Sequence, residues 1–139
     1  MSYITGANDL KASMKSIANS DGVMEQSIRK WTEYVRGEAV DLCPVDTGEL
    51  QQSIRATVEK YPEPTGIVYT NKFYAPYVEF GTGRRGAATS SKASPEVTVT
   101  YSEQISGQEA QPFMYPALNN NRERVLNGIK EDLRKGMKT

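Results

Sequence analysis

The chain has 139 residues, which is enough for one domain with a hydrophobic core. Its 17 basic and 17 acidic residues cancel, so it lacks the basic excess that a dedicated nucleic-acid-binding protein of this size carries. It contains no histidine and one cysteine, which excludes histidine metal sites, Ser-His or Cys-His catalysis and an internal disulfide.

The hydrophobic content of 37% is low for a compact enzyme and indicates either extensive solvated loop or surface that another subunit covers. A net charge of zero also leaves little repulsion between copies of the chain. No run of about 18 apolar residues is present, and the N-terminus shows no signal pattern. We therefore expect a protein without a membrane partner that is made and kept in a cytoplasm.

A weak amphipathic pattern predicts the first helix. Leu10, Met14 and Ile17 are spaced four and three residues apart, as on one face of a helix. The Asn-Ser-Asp-Gly sequence at 19–22 is typical of a helix end, so we expect this helix to stop there.

The second helical pattern is the strongest in the first half of the chain. Pro44 sets its end, because the residue before a proline is pushed out of the helical region. Cys43 follows the last apolar position and is expected to be a small buried thiol. Apolar residues recur at steps of three and four, at Met24, Ile28, Trp31, Val35, Ala39 and Leu42.

The segment after Pro44 predicts a short helix. Asp46 or Thr47 is placed to cap it, Gly48 allows close backbone approach, and Leu50 begins its apolar face. Asp-Thr-Gly is also the catalytic tripeptide of aspartic proteases. Such a site needs two aspartates that share a proton in a β-rich setting, so capping is favoured here.

Two strands and a turn follow. Residues 54–61 alternate apolar and polar side chains, residues 62–66 contain two prolines and a glycine, and residues 67–70 are again typical of a strand. The pattern predicts an antiparallel hairpin with a five-residue loop.

An aromatic segment comes next, with five large apolar residues within residues 73–80. Tyr77, Val78 and Phe80 are expected to join the sheet to the long helices as core residues. The sequence Gly81–Gly83 then ends the segment, and we interpret it as the hinge of the polar stretch that follows.

Residues 83–110 predict a flexible or hairpin arm. Residues 84–95 hold no large apolar side chain, so they bury too little to offset their own ordering entropy. Residues 97–101 alternate like a strand and are predicted to pair with residues 103–105. A stretch of this length with so little to bury is usually functional or disordered.

Residues 116–135 predict a long C-terminal helix, with Pro116 in its first turn and Gly136 as its stop. The elements together predict one α+β domain over residues 1–139, in which two long helices pack on a small antiparallel sheet. The arm at about 83–110 is inserted before the last helix. Apolar positions of that helix are Leu118, Val125, Ile129 and Leu133.

Three segments, in this order, resemble one known family. Residues 44–54 read PVDTGELQQSI, residues 74–82 read YAPYVEFGT, and residues 110–118 read AQPFMYPAL. Each is similar to a motif of the tail-component, or head–tail joining, proteins of long-tailed bacteriophages. The stretch between the second and third motifs is longer than in typical members. The motif positions are Pro44, Asp46, Thr47, Gly48, Leu50, Tyr74, Tyr77, Val78, Glu79, Phe80, Gly81, Thr82, Gln111, Pro112, Phe113 and Pro116.

The resemblance implies a structural virion protein, not an enzyme, with no catalytic residues, metal or cofactor. Family members are understood to form rings, with six copies expected, at the neck or the head-proximal end of the tail. The implied partners are further copies of the chain and neighbouring connector, stopper or tail-tube proteins. The protein would be assembled in the host cytoplasm and located in the virion.

The arm carries Arg84, Arg85 and Lys92, which are candidates for an assembly surface or for non-specific contact with passing genomic DNA. A solvated loop that orders only on assembly is the equal alternative for this stretch.

Two other functions stay open from the residues alone. A small nucleic-acid-binding module would use the arm arginines with Tyr74, Tyr77 and the basic C-terminal helix, against the neutral total charge. A hydrolase would use Asp46 with Glu49 or Glu79, but no histidine, metal-ligand spacing or phosphate-binding glycine loop accompanies them.

Overall fold

The computed structural model describes the backbone of residues 3–137 and the side chains of residues 22–136. This part of the chain is α+β, with six α-helices and a two-stranded antiparallel sheet, as predicted. The elements are α1 (Tyr3–Leu42), α2 (Glu49–Ser53), β1 (Arg55–Glu59), β2 (Thr65–Tyr69), α3 (Ala75–Phe80), α4 (Gly83–Thr89) with a 3-10 turn (Ser90–Lys92), α5 (Met114–Asn119) and α6 (Arg122–Met137).

Helix α1 is one helix of 40 residues, about 60 Å long at 1.5 Å per residue. The predicted stop at residues 19–22 is wrong. Asn, Ser and Asp are only weakly unfavourable inside a helix and Gly22 costs about 1 kcal/mol relative to alanine, so none of them blocks the helix as a proline would. The predicted apolar positions Leu10, Met14 and Ile17 lie outside the described side chains.

Helix α6 packs antiparallel along the second half of α1. Just before α6 begins, the Tyr34 hydroxyl donates to Asn121 Oδ1 (3.3 Å). At the other end, Gly136 lies so close to Val23 that an added Cβ would come within 2.6 Å of the valine side chain. The two helices therefore run side by side from Tyr34 back to Val23.

Asp132 ties α6 to α1 at the middle of this contact. Its Oδ2 lies 2.7 Å from Lys30 Nζ and accepts hydrogen bonds from Ser27 Oγ (2.7 Å) and Trp31 Nε1 (3.1 Å). The hydrogen bond from Lys30, followed by that from Ser27, holds the pKa of Asp132 below its ordinary value. No pattern in the sequence indicated this cluster.

The predicted hairpin is confirmed. Arg55 pairs with Tyr69 and Glu59 with Thr65, and β1 packs on α1 with alternate side chains exposed and half-buried. The loop spans residues 60–64 and not 62–66, because β2 begins two residues earlier than the sequence pattern indicated.

The hydrophobic core lies where α1, α2, α3 and α5 meet. Phe113 and Ile54 are its largest fully buried side chains. Cys43 is buried, as predicted, and it closes the α1 stripe in place of Leu42, which is largely exposed. The buried cluster is Val35, Ala39, Cys43, Leu50, Ile54, Ala75, Phe113 and Ala117.

Residues 83–110 fold differently from the prediction. They begin with α4 and the 3-10 turn, and no strand forms over residues 97–101 or 103–105, so the predicted hairpin is wrong. The first part is rich in alanine and serine with few β-branched residues, which suits a short helix. The alternating stretch finds no ladder partner, and its Tyr101 hydroxyl donates instead to Phe80 O (2.8 Å).

The C-terminal helix is divided in two. Asn121 Nδ2 donates to Ala117 O (2.9 Å) and Asn121 O accepts from Val125 N (2.9 Å), so this residue ends one helical segment and opens the next. Pro116 lies in the first turn of α5, as predicted. Gly136 lies inside α6 and does not stop it, because α6 continues to Met137.

Candidate functional site

Glu79 connects the second motif to the third. It lies in α3 and is only 6% exposed. Its Oε2 accepts hydrogen bonds from the backbone N–H groups of Phe113 (2.8 Å) and Met114 (3.0 Å), and its Oε1 accepts one from Tyr115 N (2.9 Å). The first turn of a helix leaves these groups without intrahelical partners, so the carboxylate caps α5 and faces the positive end of its dipole.

The segment between the 3-10 turn and α5, residues 93–113, covers the C-terminal end of α3. The last carbonyl groups of a helix have no intrahelical partners, and here three of them accept hydrogen bonds from residues 101–111. Together with Glu79, these bonds join α3 to both the long segment and α5. The donors are Gln111 N to Val78 O (2.8 Å), Gln108 Nε2 to Tyr77 O (3.1 Å) and Tyr101 Oη to Phe80 O (2.8 Å).

The chain crosses itself at Thr82. Thr82 N donates to Gln108 O (2.9 Å) and Gln108 N donates to Thr82 O (3.1 Å), which forms an isolated antiparallel bridge. Gly81 has φ 73°, and an added Cβ there would lie 2.6 Å from Ala110 N. A glycine is therefore required on both steric and conformational grounds. The segment Gly81–Gly83, predicted to be a hinge, is instead held in place by this bridge and by the close packing at Gly81.

The first motif forms the turn between α1 and α2. Gly48 has φ 84° and occupies the position before α2, and Thr47 Oγ1 accepts a hydrogen bond from Glu49 N (3.3 Å). The Asp46 side chain is exposed and makes no hydrogen bond to the described residues, so of the two predicted capping residues only Thr47 bonds to a backbone N–H group of α2. Gly48 supplies the positive φ that the turn into α2 requires.

Each motif supplies residues to the common core. Leu50 comes from the first motif, Ala75 from the second, and Phe113 and Ala117 from the third. Pro112 is half-buried directly before Phe113. The motifs therefore act first as packing and hydrogen-bonding elements that fix one another.

The same three motifs also line a cleft of about 640 Å³ at the surface. Its carboxylates are those of Asp46, Glu49 and Glu109, and each of these residues is exposed. Lys72 Nζ lies 4.0 Å from Glu49 Oε2 at the edge of this region. The cleft residues are Pro44, Val45, Asp46, Thr47, Gly48, Glu49, Leu50, Tyr74, Tyr77, Val78, Gln108, Glu109 and Gln111.

The aromatic segment contributes less to the core than predicted. Val78 and Phe80 are half-buried, but Tyr77 is exposed, so its assignment to the core is wrong. Phe73 is 84% exposed and packs only edge-on against Tyr74, with ring centroids 5.5 Å apart. Ala75 and Glu79 are four residues apart, so they lie on the same face of the short helix α3, and this face is buried. The rings of Phe73 and Tyr77 are left at the surface.

Arg84 and Arg85 lie in the first turn of α4, directly after the bridge between Thr82 and Gln108. Arg84 donates to Glu103 O (3.0 Å), and an Arg85 guanidinium nitrogen lies 3.9 Å from Glu109 Oε1. Lys92 is exposed at the end of the 3-10 turn. Their contact with DNA stays a prediction.

A second, larger opening separates the hairpin from the helices. It is a groove of about 800 Å³ between α1, β2, α3, α5 and α6. Phe73 stands at its rim. Large exposed apolar surfaces of this kind mark ligand or protein interaction sites, so the groove is a candidate contact surface. The apolar side chains along its walls include Val35, Val68, Leu118, Val125 and Ile129.

The titratable groups near the motifs do not form a catalytic arrangement. Both oxygens of Glu79 are used by backbone N–H groups, and Asp46 is exposed in the cleft. Burial, followed by the charge of Glu79, raises the pKa of the Cys43 thiol, which makes it a poor nucleophile. Among the described side chains, no group of three or more His, Cys, Asp and Glu residues is placed to hold a metal ion.

The role of Glu79 was missed although the residue itself was singled out. A lone carboxylate between Val78 and Phe80, on a short helix, is a signal for a buried partner, because buried carboxylates are almost always paired. The partner was not visible because it consists of backbone N–H groups more than thirty residues away.

The comparisons with known proteins agree with the motifs. Residues 8–81, more than half of the chain, match the family model described as "Bacteriophage HK97-gp10, putative tail-component". The match includes the first motif and most of the second, and the third motif lies outside it. No curated protein and no solved structure matches the chain. Within residues 3–137, no helix is both long and apolar enough to cross a membrane. The chain belongs to the HK97-gp10-like family of bacteriophage tail components.

Proposed function

We propose that this chain is the subunit of a ring at the head–tail interface, or at the head-proximal end of the tail, of a long-tailed phage. It acts there in head–tail joining or tail completion as a structural protein and not as an enzyme. Family membership supports the tail component, and the open apolar groove of about 800 Å³ supports assembly into a larger object.

The surface of the subunit suits a ring. A ring built by rotation needs two different complementary surfaces on each subunit. The apolar groove is a candidate for one of them, and the more polar cleft of the three motifs is a further exposed surface for contact with a neighbour. Large apolar side chains are exposed near both, at Phe73 and Leu118 for the groove and at Val45 and Tyr77 for the cleft. A net charge of zero adds little repulsion between copies.

The partners follow from this position in the virion. They are further copies of the chain, with six expected, and connector, stopper or tail-tube proteins above and below the ring. Arg84, Arg85 and Lys92 are exposed and remain candidates for contact with the passing genome. The structure adds nothing that favours a dedicated nucleic-acid-binding module, since Arg85 pairs with Glu109.

Removal of the gene from the phage tests the proposal. We expect filled heads and separate tails by electron microscopy, and joined particles again when the chain is supplied in trans. Image reconstruction of joined particles should then show a ring of this fold at the neck or the upper end of the tail. Normal joined particles in the absence of the chain would refute the proposal, and salt-dependent retention of DNA by the free chain would favour the nucleic-acid-binding alternative.

A further inference from the structure

We propose that the N-terminal half of α1 from one copy packs into the apolar groove of the neighbouring copy. This inference rests on the proposed function, because it names the contact that joins adjacent subunits of the ring. Two features carry it: a helix that extends past the rest of the fold, and a groove that the chain leaves open.

Helix α1 begins at Tyr3, but the elements beside it stop well short of that residue. The end of α6 lies level with Val23, and the hairpin turns back where Lys60 Nζ lies 3.4 Å from Glu25 Oε2. Residues 3–21 extend beyond this level for about 28 Å as a helix. The described parts of α6 and of the hairpin do not run beside this half of α1.

The sequence of the extension is amphipathic. Leu10, Met14 and Ile17 stand at positions i, i+4 and i+7, the spacing at which a helix anchors in an apolar groove. Leu10, Ile17, Met24 and Trp31 also follow one another at intervals of seven residues. The apolar pattern that meets the body of the protein at Trp31 therefore continues in phase along the extension.

The groove suits such a helix in its chemistry. Its walls are mostly aliphatic and aromatic, with Lys72 and a few hydroxyl side chains among them. The carboxylate of Glu79, its one buried charge, is already satisfied by three backbone N–H groups. Residues 3–21 carry two lysines and two aspartates, so the extension adds no net charge to the contact. Apolar burial is the driving force that remains.

The occupant must come from a second copy. The groove lies along Ile28, Trp31 and Val35 of α1, and α1 continues from these residues as one unbroken helix to Tyr3. A continuous helix cannot turn back onto its own side, so the extension points away from the groove of its own chain. Insertion of one extension into the next groove is a head-to-tail contact, which is the kind that closes a ring.

Cysteine cross-linking between full-length copies tests the contact directly. One preparation carries Leu10→Cys, Met14→Cys or Ile17→Cys, and the other carries Leu118→Cys, which lies in the groove. Under mild oxidation we expect at least one of the three mixtures to give a covalent dimer that neither preparation gives alone. The matched control replaces Leu118→Cys by Leu126→Cys, because Leu126 has nearly the same exposure (50% against 46%) but lies outside the groove. Absence of the dimer in all three mixtures, or an equal yield with the control, overturns the inference.

Self-association of the full chain gives a second readout. Leu118→Ser is expected to weaken it at least about tenfold in sedimentation velocity, and Leu126→Ser to leave it within about twofold. If the two variants behave alike while the wild type still joins heads to tails, the groove contact is wrong and the proposed function stands. If the wild type stays a monomer at every concentration and particles join without it, both are wrong.

Discussion

Replacing Glu79 tests the cap that holds the second and third motifs together. In Glu79→Ala, the N–H groups of Phe113, Met114 and Tyr115 lose the one acceptor that the described residues offer them, at a place that is buried for Phe113 and half-buried for the other two. A hydrogen bond to a charged group contributes about 1.5–3 kcal/mol, and an unsatisfied buried donor costs a comparable amount. Because the three bonds share one carboxylate they do not add fully, and we expect a loss of about 3–5 kcal/mol. Glu79→Gln keeps the shape and one acceptor oxygen but loses the charge, and it should cost about half as much.

Urea unfolding followed by fluorescence measures this loss. Trp31 is the one tryptophan of the chain and lies between α1 and α6, so its emission reports on the packing of the long helices. With a slope of about 2 kcal/mol per molar urea, the expected loss moves the midpoint by roughly 2 M. A domain of this kind has about 5–15 kcal/mol of stability in total, so Glu79→Ala removes a large part of it.

Glu109→Gln is the matched control for Glu79. Glu109 lies in the motif cleft but is exposed, and its contact with Arg85 is 3.9 Å long. A surface pair of this kind contributes little, so we expect a change within about 0.5 kcal/mol. If Glu79→Ala shifted the midpoint no more than Glu109→Gln, the carboxylate would not be a structural cap and the account of the site given above would be wrong.

Three further predictions concern other parts of the fold. Asp132→Asn should lower the urea midpoint at neutral pH. Since the folded pKa of Asp132 is lowered, its contribution is complete above the ordinary value of 3.8, and the difference from wild type should close as the pH falls through the folded pKa. Gly81→Ala should lower the free energy of unfolding by about 2 kcal/mol or more in the same assay, because the residue has a positive φ and an added Cβ meets Ala110 N. The control is Gly37→Ala, where nothing lies within 4 Å of an added Cβ, and it should be neutral or slightly stabilising. Cys43 should react with a thiol reagent at least about tenfold more slowly in the native protein than in urea, and equal rates would contradict its burial.

The sequence predicted best the elements whose side chains repeat at a fixed period. The stripe from Met24 to Ala39 and the alternation of Ala56 and Val58 each mark the covered face of an element. Val35 and Ala39 are buried and the other apolar positions are half-buried, which confirms both patterns. The ends of elements were predicted less well, because weak stop signals compete with neighbouring packing. Residues 19–22 did not end α1, whereas Asn121, which no signal marked, divided the C-terminal helix.

The hydrogen bonds of the site could not be predicted for a different reason. Glu79 binds backbone N–H groups, and every residue type except proline offers the same donor, so the sequence carries no trace of the partner. The crossing at Thr82 and Gln108 is likewise made by main-chain atoms. The motif residues could be identified from the sequence, but their packing and hydrogen-bonding partners are seen only in the three-dimensional structure.

The bridge between Thr82 and Gln108 also makes the rest of the fold less sensitive to the length of the segment between these two residues. The chain leaves and returns through one fixed pair of residues. Added residues at the exposed positions 95–98 therefore need not disturb the buried Ala93 or the bond of Tyr101 to α3. Doubling a flexible loop adds only about 0.6 kcal/mol of closure entropy. Residues 95–98 are thus a suitable position for a marker peptide that would reveal the chain in images of a whole particle.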